Sequence, residues 1–163
     1  MAGGISEMSR RLGCTHPSPE AKTDLQVTQS ICMNFLLDTD IVSYALRGSG
    51  RVAAHIKTHR LSALAVSAIS IAELRFGADR LRSIRLHRLI DGFTSGIRVL
   101  PFTETAAHRY GVVAAVLERQ GISIGQMDCQ IAAHALSDGL TLVSNNTSHF
   151  ERVRGLKLVN WFN

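Results

Sequence analysis

The sequence has few cysteines, no long apolar segment and little excess charge, and each shortage excludes a class of protein. Its three cysteines, Cys14, Cys32 and Cys129, lack the paired spacing of a metal site, so we expect reduced thiols in a cytosol-like compartment. No apolar run approaches the roughly 20 residues of a membrane-spanning helix. Charged residues make up 19% of the chain and hydrophobic residues 45%, which excludes a disordered or collagenous protein. The net charge of +5 is compatible with a polyanionic partner.

The first 32 residues differ in composition from the rest. They contain glycines, prolines and scattered polar residues but no sustained apolar periodicity, and their basic and acidic residues balance. Ser9-Arg10-Arg11 is similar to a twin-arginine export signal, yet the apolar core that such a signal requires is missing. We therefore interpret residues 1–32 as a disordered leader or an overlong start, and residues 33–163 as one functional domain.

From Asn34 onward, short apolar runs alternate with helical periodicities. Strands are predicted at 34–38, 65–67, 97–100, 140–144 and 156–159. Helices are predicted at 49–59, from Ser70 with a loosening at Phe76-Gly77, and at 81–93, 103–120 and 126–137. Strands separated by helices need crossover connections. The pattern therefore predicts a three-layer α/β/α sandwich with a mainly parallel sheet.

Polar side chains follow two of the predicted strands, and two acids lie at predicted helix starts. Asp38 ends the first strand, Ser144 ends the strand at 140–144, and Asn146 follows it. Glu73 and Asp128 are expected in the first turns of their helices, at the same edge of the sheet. Because ligands of open α/β sheets bind beyond the carboxyl ends of the strands, we expect these residues to meet there.

Asp128 shares an apolar helical stripe with Ile131 and Ala132, and no lysine or arginine stands one turn away on that helix. A carboxylate on a buried stripe is costly unless a cation or a polar neighbour compensates it. Three carboxylates brought together would repel, and one would take up a proton unless a cation held them ionised. An all-oxygen set of this kind suits Mg²⁺ or Mn²⁺ rather than zinc.

Each of these residues also has a purely structural interpretation, and the alternatives stay open. Asp38 can hydrogen-bond the loop amides that follow its strand. Ser70 and Glu73 have the spacing of a capping box. Asp128 can interact with the helix macrodipole, and Asn146 can form a turn.

Four segments resemble, in order, the motifs of PIN-domain ribonucleases. They are LLDTDI at 36–41, SAISIAELRFG at 67–77, IGQMDCQIAAHA at 124–135 and LVSNNTSHF at 142–150. The strongest likeness is to the VapC toxins of bacterial toxin–antitoxin pairs, in particular the endonucleases specific for initiator tRNA. The resemblance extends from residue 33 to residue 161.

The resemblance implies a Mg²⁺- or Mn²⁺-dependent endoribonuclease. Asp38, Glu73 and Asp128 match the metal-holding acids of the family. Asn146 stands where many members have a fourth acid and Ser144 where many have threonine, and both are expected to position water and carboxylates. The implied reaction hydrolyses an RNA phosphodiester, with tRNA and possibly initiator tRNA as substrate, and leaves a 5′-phosphate and a 3′-hydroxyl.

The resemblance also implies partners. A VapB-like antitoxin is expected to neutralise the toxin, which otherwise inhibits translation in the bacterial cytoplasm, and the toxin is expected to form a homodimer. Leu74, Phe76, Leu81 and Ile84 are candidates for the apolar surface that the antitoxin covers.

Arginines are concentrated after Glu73. Arg75, Arg80, Arg82 and Arg85 are candidates for contacts with RNA phosphates, and a solvated helical face is the alternative. His134, His149, Cys129 and Trp161 are interpreted as structural residues.

Two other functions compete with the nuclease. A degenerate PIN domain would only bind protein or RNA, and the loss of an acid at Asn146 favours it. Asp38-Thr39-Asp40 also resembles the motif of aspartate-nucleophile phosphotransferases, but those need a downstream lysine, and Lys157 is the only one after Lys57.

Overall fold

The computed structural model describes residues 34–163. The leader predicted at 1–32, with Cys14 and Cys32, lies outside the described residues. The strands are β1 (Phe35–Leu37), β2 (Leu64–Ser67), β3 (Arg98–Leu100), β4 (Thr141–Val143) and β5 (Lys157–Val159). The helices are α1 (Thr39–Arg47), α2 (Val52–Thr58), α3 (Ala68–Arg80), α4 (Ile84–Gly96), α5 (Glu104–Arg119), α6 (Gln126–Ser137) and α7 (Thr147–Phe150), and one 3-10 turn covers Leu61–Ala63.

The strands form one parallel sheet in the order β3-β2-β1-β4-β5. β1 lies at its centre, with Leu36 opposite Ala65 of β2 and Leu142 of β4. The chain builds one side of the sheet from β1 to β3 and then returns to build the other side with β4 and β5. The order of strands therefore reverses between β1 and β4, and in open α/β sheets a ligand crevice forms beyond such a point.

Two cores cover the two faces of the sheet, as side-chain alternation along a strand requires. Leu36 and Leu142 pack in one core with residues of α5 and α6. Leu37 and Val143, their neighbours along the strands, pack in the other core with residues of α1 to α4. The predicted three-layer sandwich with a parallel sheet is confirmed.

All five predicted strands and all five predicted helices overlap observed elements, and α6 has the predicted bounds. The sequence did not predict α1. Asp38 caps this helix, because its Oδ1 accepts a hydrogen bond of 2.7 Å from the Thr39 amide, and Gly48 ends it with a φ of 68°. Ile41 and Val42 anchor the helix in the core.

The predicted start of α3 is wrong. The helix begins one turn earlier, and Ser67, not Ser70, caps it by accepting a hydrogen bond from the Ile69 amide. The capping box of Ser70 and Glu73 is therefore absent, and Glu73 lies in the second turn. The predicted loosening at Phe76-Gly77 is also wrong.

The helix runs on to Arg80 because Leu74 and Ala78 bury its inner face. The next helix, α4, begins at Ile84 rather than at residue 81. Arg82 turns the chain there with a φ of 48°.

Cys129 and Trp161 are buried, as their structural interpretation predicts. Trp161 lies against the rings of Phe35, His55 and His59, with centroids 4.8 to 5.4 Å apart. No helix in the range 34–163 is both long enough and apolar enough to cross a membrane.

Ser67 makes two side-chain contacts, and we expect its replacement to cost more than the loss of an ordinary helix cap. Its hydroxyl caps α3 and lies 2.9 Å from Nδ1 of the buried His134 of α6. Ser67→Ala should lower the free energy of unfolding by about 2–3 kcal/mol, because it also strands a buried imidazole nitrogen. Ser83 only caps α4, so Ser83→Ala should cost about 1 kcal/mol. Urea denaturation measures both, and equal losses would contradict the role assigned to the His134 contact.

Candidate active site

Asp38 lies at the carboxyl end of β1 with only 4% of its surface exposed. Two donors hold its carboxylate. The Ser144 hydroxyl, from the end of β4, donates to Oδ2 at 2.7 Å, and the Thr39 amide donates to Oδ1 at 2.7 Å. The carboxylate is thus fixed where the order of strands reverses.

Burial, together with the neighbouring charges of Asp40 and Asp128, raises the pKa of Asp38 to about 7. The hydrogen bonds from Ser144 and Thr39 oppose this shift of the pKa without cancelling it. Asp128 therefore lies close enough to Asp38 for their charges to interact, although the two residues belong to different elements.

Glu73 reaches the same edge of the sheet through Thr39. Its Oε2 accepts a hydrogen bond of 2.6 Å from the Thr39 hydroxyl, which ties the second turn of α3 to the start of α1. Glu73 is half-buried. The second turn of its helix, rather than the first, brings the carboxylate to the site.

The segment after β4 joins Asp38 to Asp128. The Ser144 hydroxyl accepts a hydrogen bond of 3.0 Å from the Asn146 amide. The side-chain nitrogen of Asn146 lies 3.3 Å from Asp128 Oδ2, and Nδ1 of His149 lies 3.0 Å from the same oxygen.

All five residues predicted for the site therefore share one network of hydrogen bonds and charge interactions: Asp38, Glu73, Asp128, Ser144 and Asn146.

The oxygen donors at this edge are the kind that a hard divalent cation prefers. Asp40 adds a further carboxylate, whose Oδ1 is buried without a hydrogen-bond partner. Within residues 34–163, no three acidic, histidine or cysteine side chains already stand at ligand distance from one common point. The chemistry of the donors fits a cation, and the geometry brings Asp38 and Asp128 together, with Glu73 joined to Asp38 through Thr39.

Comparison with known proteins identifies the fold. The model of the PIN domain matches residues 35–156. The chain belongs to the PIN-domain family.

Its relatives are VapC ribonucleases. It is 37% identical over 130 residues to Ribonuclease VapC2 of Haemophilus influenzae, covering 79% of this chain and 98% of the relative. It is 35% identical, with the same coverage, to the tRNA(fMet)-specific endonuclease VapC of Shigella flexneri. Among solved structures, the DNA-bound VapBC of Salmonella typhimurium matches with a TM-score of 0.75 and 32% identity, over 79% of this chain and 98% of the other. The chain is a VapC-type PIN-domain ribonuclease, as the resemblance implies.

The arginines predicted to contact RNA differ in their surroundings. Arg75 forms an ion pair with Asp91 of α4, and its guanidinium lies 3.2 Å from Nδ1 of His87, so it joins α3 to α4. The guanidinium of Arg80 lies over the ring of Phe76 at 5.8 Å. Arg82 and Arg85 are exposed.

The apolar residues predicted to form a partner surface also differ from one another, in how exposed they are. Leu74 is buried in the core, so its assignment to a surface is wrong. Phe76, Leu81 and Ile84 are exposed by 66%, 67% and 70% and lie at the junction of α3 and α4.

Three residues of this PIN-domain site were not predicted: Thr39, Asp40 and His149. Asp40 is held by the Asn145 amide at 3.0 Å, and burial raises its pKa. A signal for Asp40 exists in the sequence, because it directly follows Thr39 within the first motif. His149, which the sequence indicated only as structural, follows Asn146 by three residues, so a helical turn brings the two side chains together.

The raised pKa of Asp38 predicts a pH-dependent stability. Because the native state favours the protonated carboxyl, ionisation of Asp38 destabilises the fold progressively as pH rises from about 4 to 7. Without divalent ions, Asp38→Asn should raise the free energy of unfolding by about 2–4 kcal/mol at pH 8. The gain should vanish near pH 4. Urea titrations across this range test it, with the exposed Glu151→Gln as control. A gain that does not change with pH would contradict the assignment.

Proposed function

We propose that this VapC-type PIN domain is a Mg²⁺- or Mn²⁺-dependent endoribonuclease toxin that cleaves tRNA, with initiator tRNA as the substrate. The observation that carries the proposal is the buried carboxylate of Asp38, which lies within charge-interaction range of Asp128 at the point where the strand order reverses. Buried acids with raised pKa values are typical of sites that hold cations or move protons.

Asp38 and Asp128 are the residues that would hold the metal, and Glu73 would join them through a water molecule. A divalent ion held by these residues would supply Lewis-acid activation of the attacking water and neutralise charge on the scissile phosphate. The chain itself supplies orientation. Ser144 and Thr39 hold the Asp38 carboxylate, and the Thr39 hydroxyl holds Glu73.

The pKa of Asp38 supports the proposal that the site holds a cation. With a pKa of about 7, this carboxyl is only partly ionised at neutral pH. A nearby positive charge favours the carboxylate form and offsets its repulsion from Asp40 and Asp128. Metal binding should therefore release protons and weaken as pH falls below 7.

The substrate and the partner rest on relatives. One relative carries the name of an endonuclease specific for tRNA(fMet), and a solved relative is a VapBC complex. We propose that this chain likewise cuts initiator tRNA in the bacterial cytoplasm, stops translation, and is neutralised by a VapB-like antitoxin as a homodimer. Phe76, Leu81 and Ile84 form an exposed apolar surface that such a partner could cover.

A degenerate PIN domain that only binds RNA or protein is the second candidate. Asn146 supports it, since the amide lowers the negative charge of the site by one. Against it stands the shared network of Asp38, Glu73 and Asp128, because a domain that only binds has no need of an acid buried at a raised pKa.

Cleavage separates the two candidates. Asp38→Asn and Asp128→Asn should each reduce Mg²⁺-dependent cleavage of bacterial tRNA by about a thousandfold or more, because each removes a metal-holding carboxylate. Glu151→Gln should cleave like the wild type. Gel analysis of the products, with thermal melting to show that each variant is folded, gives the result. Wild-type turnover by both aspartate variants would refute the metal site, and sequencing of the cut ends tests the choice of initiator tRNA.

Arg82 and Arg85 provide a test of RNA binding. If these exposed arginines contact phosphates, Arg82→Ala combined with Arg85→Ala should weaken tRNA binding and reduce the dependence of log K on log salt by about 2. Fluorescence anisotropy of labelled tRNA with Asp128→Asn protein, which cannot cut it, measures both. Arg152→Ala with Arg154→Ala, at exposed positions near the C-terminus, is the comparison. An unchanged slope would show that Arg82 and Arg85 make no phosphate contacts.

A further inference from the structure

One imidazole reaches the acidic edge of the sheet. His149 is the third residue of α7, and its Nδ1 lies 3.0 Å from Asp128 Oδ2, although 21 residues separate the two in sequence. Its side chain is 44% exposed and that of Asp128 is 27% exposed. Its other side-chain contact is with Asn146, whose Nδ2 lies 2.8 Å from the same ring nitrogen.

The direction of the hydrogen bond follows from the groups involved. A carboxylate oxygen only accepts, so the hydrogen between His149 and Asp128 belongs to Nδ1 of the imidazole. The Asn146 side-chain nitrogen also donates to Oδ2 of Asp128, at 3.3 Å. His149 and Asn146 are then two donors that converge on the same carboxylate oxygen.

The hydrogen bonds to Asp128 from other side chains in residues 34–163 all fall on Oδ2. Oδ1 is therefore the oxygen that this arrangement presents to an ion. The arrangement parallels that of Asp38, whose carboxylate is fixed by Ser144 and the Thr39 amide. Each of the two aspartates has its own donors, and these come from the end of β4, the segment after it and the start of α1.

We propose that His149 is a positioning residue, which orients the Asp128 carboxylate for a divalent ion by donating a hydrogen bond from Nδ1. The inference rests on the proposed function, since it takes Asp128 to hold metal. The neutral Nδ1–H tautomer and the imidazolium both carry the donor hydrogen, so the role does not depend on the charge of the ring. Hydrogen bonds that orient metal-holding groups typically contribute 10- to 100-fold to metal affinity.

Side-chain geometry supplies matched variants. Asparagine carries its amide nitrogen on Cγ, the atom that also carries Nδ1 in histidine, so His149→Asn can keep the donor. Glutamine carries its nitrogen one bond further out, where Nε2 stands, so His149→Gln cannot reach Asp128 in the same way. His149→Ala removes the donor altogether.

Titration calorimetry of Mn²⁺ into the full-length chain gives the decisive measurement, because it reads affinity rather than turnover. We expect the Kd to rise about 10- to 100-fold in His149→Ala and His149→Gln, and to stay within about threefold of wild type in His149→Asn. Since the side chain is only half-buried and belongs to neither core, all three variants should melt at the wild-type temperature, which circular dichroism checks.

The outcomes separate the inference from the function on which it rests. Wild-type protein that binds no Mn²⁺, or Asp38→Asn protein that binds it normally, would overturn the metal-dependent function and the inference with it. Normal wild-type binding that Asp38→Asn abolishes, together with unchanged affinity in His149→Ala, would overturn only the role of His149. Equal weakening in the asparagine, glutamine and alanine variants would overturn the hydrogen-bond mechanism.

Discussion

A carboxylate buried at the end of the central strand imposes conditions on most of its surroundings. Asp38 cannot be moved toward solvent, because β1 lies in the middle of the sheet and Leu36 and Leu37 anchor it on both faces. The negative charge of its carboxylate must therefore be compensated in its buried position, by hydrogen-bond donors from neighbouring elements and by a cation. The short connections after β1 and β4 lie close enough to the Asp38 carboxylate to supply those donors.

Neutral hydroxyl groups supply several of the hydrogen bonds that hold the site together. Ser144 holds Asp38, Thr39 holds Glu73, and Ser67 joins the start of α3 to His134 of α6. Hydroxyls can accept one hydrogen bond while donating another, so each can link two elements without adding a charge to a site that already holds several acids. The contact between Ser67 and His134 also connects the helix that carries Glu73 with the helix that carries Asp128.

Much of this architecture could be predicted because its signals are local. The end of α6 is indicated by Gly139, which lies just past it. The strands are indicated by their apolar runs. The start of α3 was misplaced because Ser67 and Ser70 are both acceptable caps, and only burial of Ser70 decides between them. For α1 the signal was present, in Ile41 and Val42, but the helix follows β1 without an intervening turn.

In the site, too, some residues could be predicted from the sequence and others could not. Acids at strand ends and helix starts could be predicted from topology, since the carboxyl ends of parallel strands meet at one edge. His149 could not be singled out, because its role depends on a contact with a residue 21 positions away. Arg75 looked like its basic neighbours in the sequence, and only the packing of α4 against α3 shows that it is engaged with Asp91.

The aromatic cluster at the end of the chain has a practical consequence. Trp161 is the single tryptophan of the protein. It is stacked on the imidazoles of His55, in α2, and His59, at the end of α2, and it belongs to only one of the two cores. Its emission is therefore an intrinsic optical reporter for one face of the sheet. Loosening of the layer formed by α1 to α4 would change the fluorescence of Trp161. Events confined to α5 and α6 would leave its fluorescence unchanged. Fluorescence spectroscopy can therefore distinguish the two faces of the sheet without an added label.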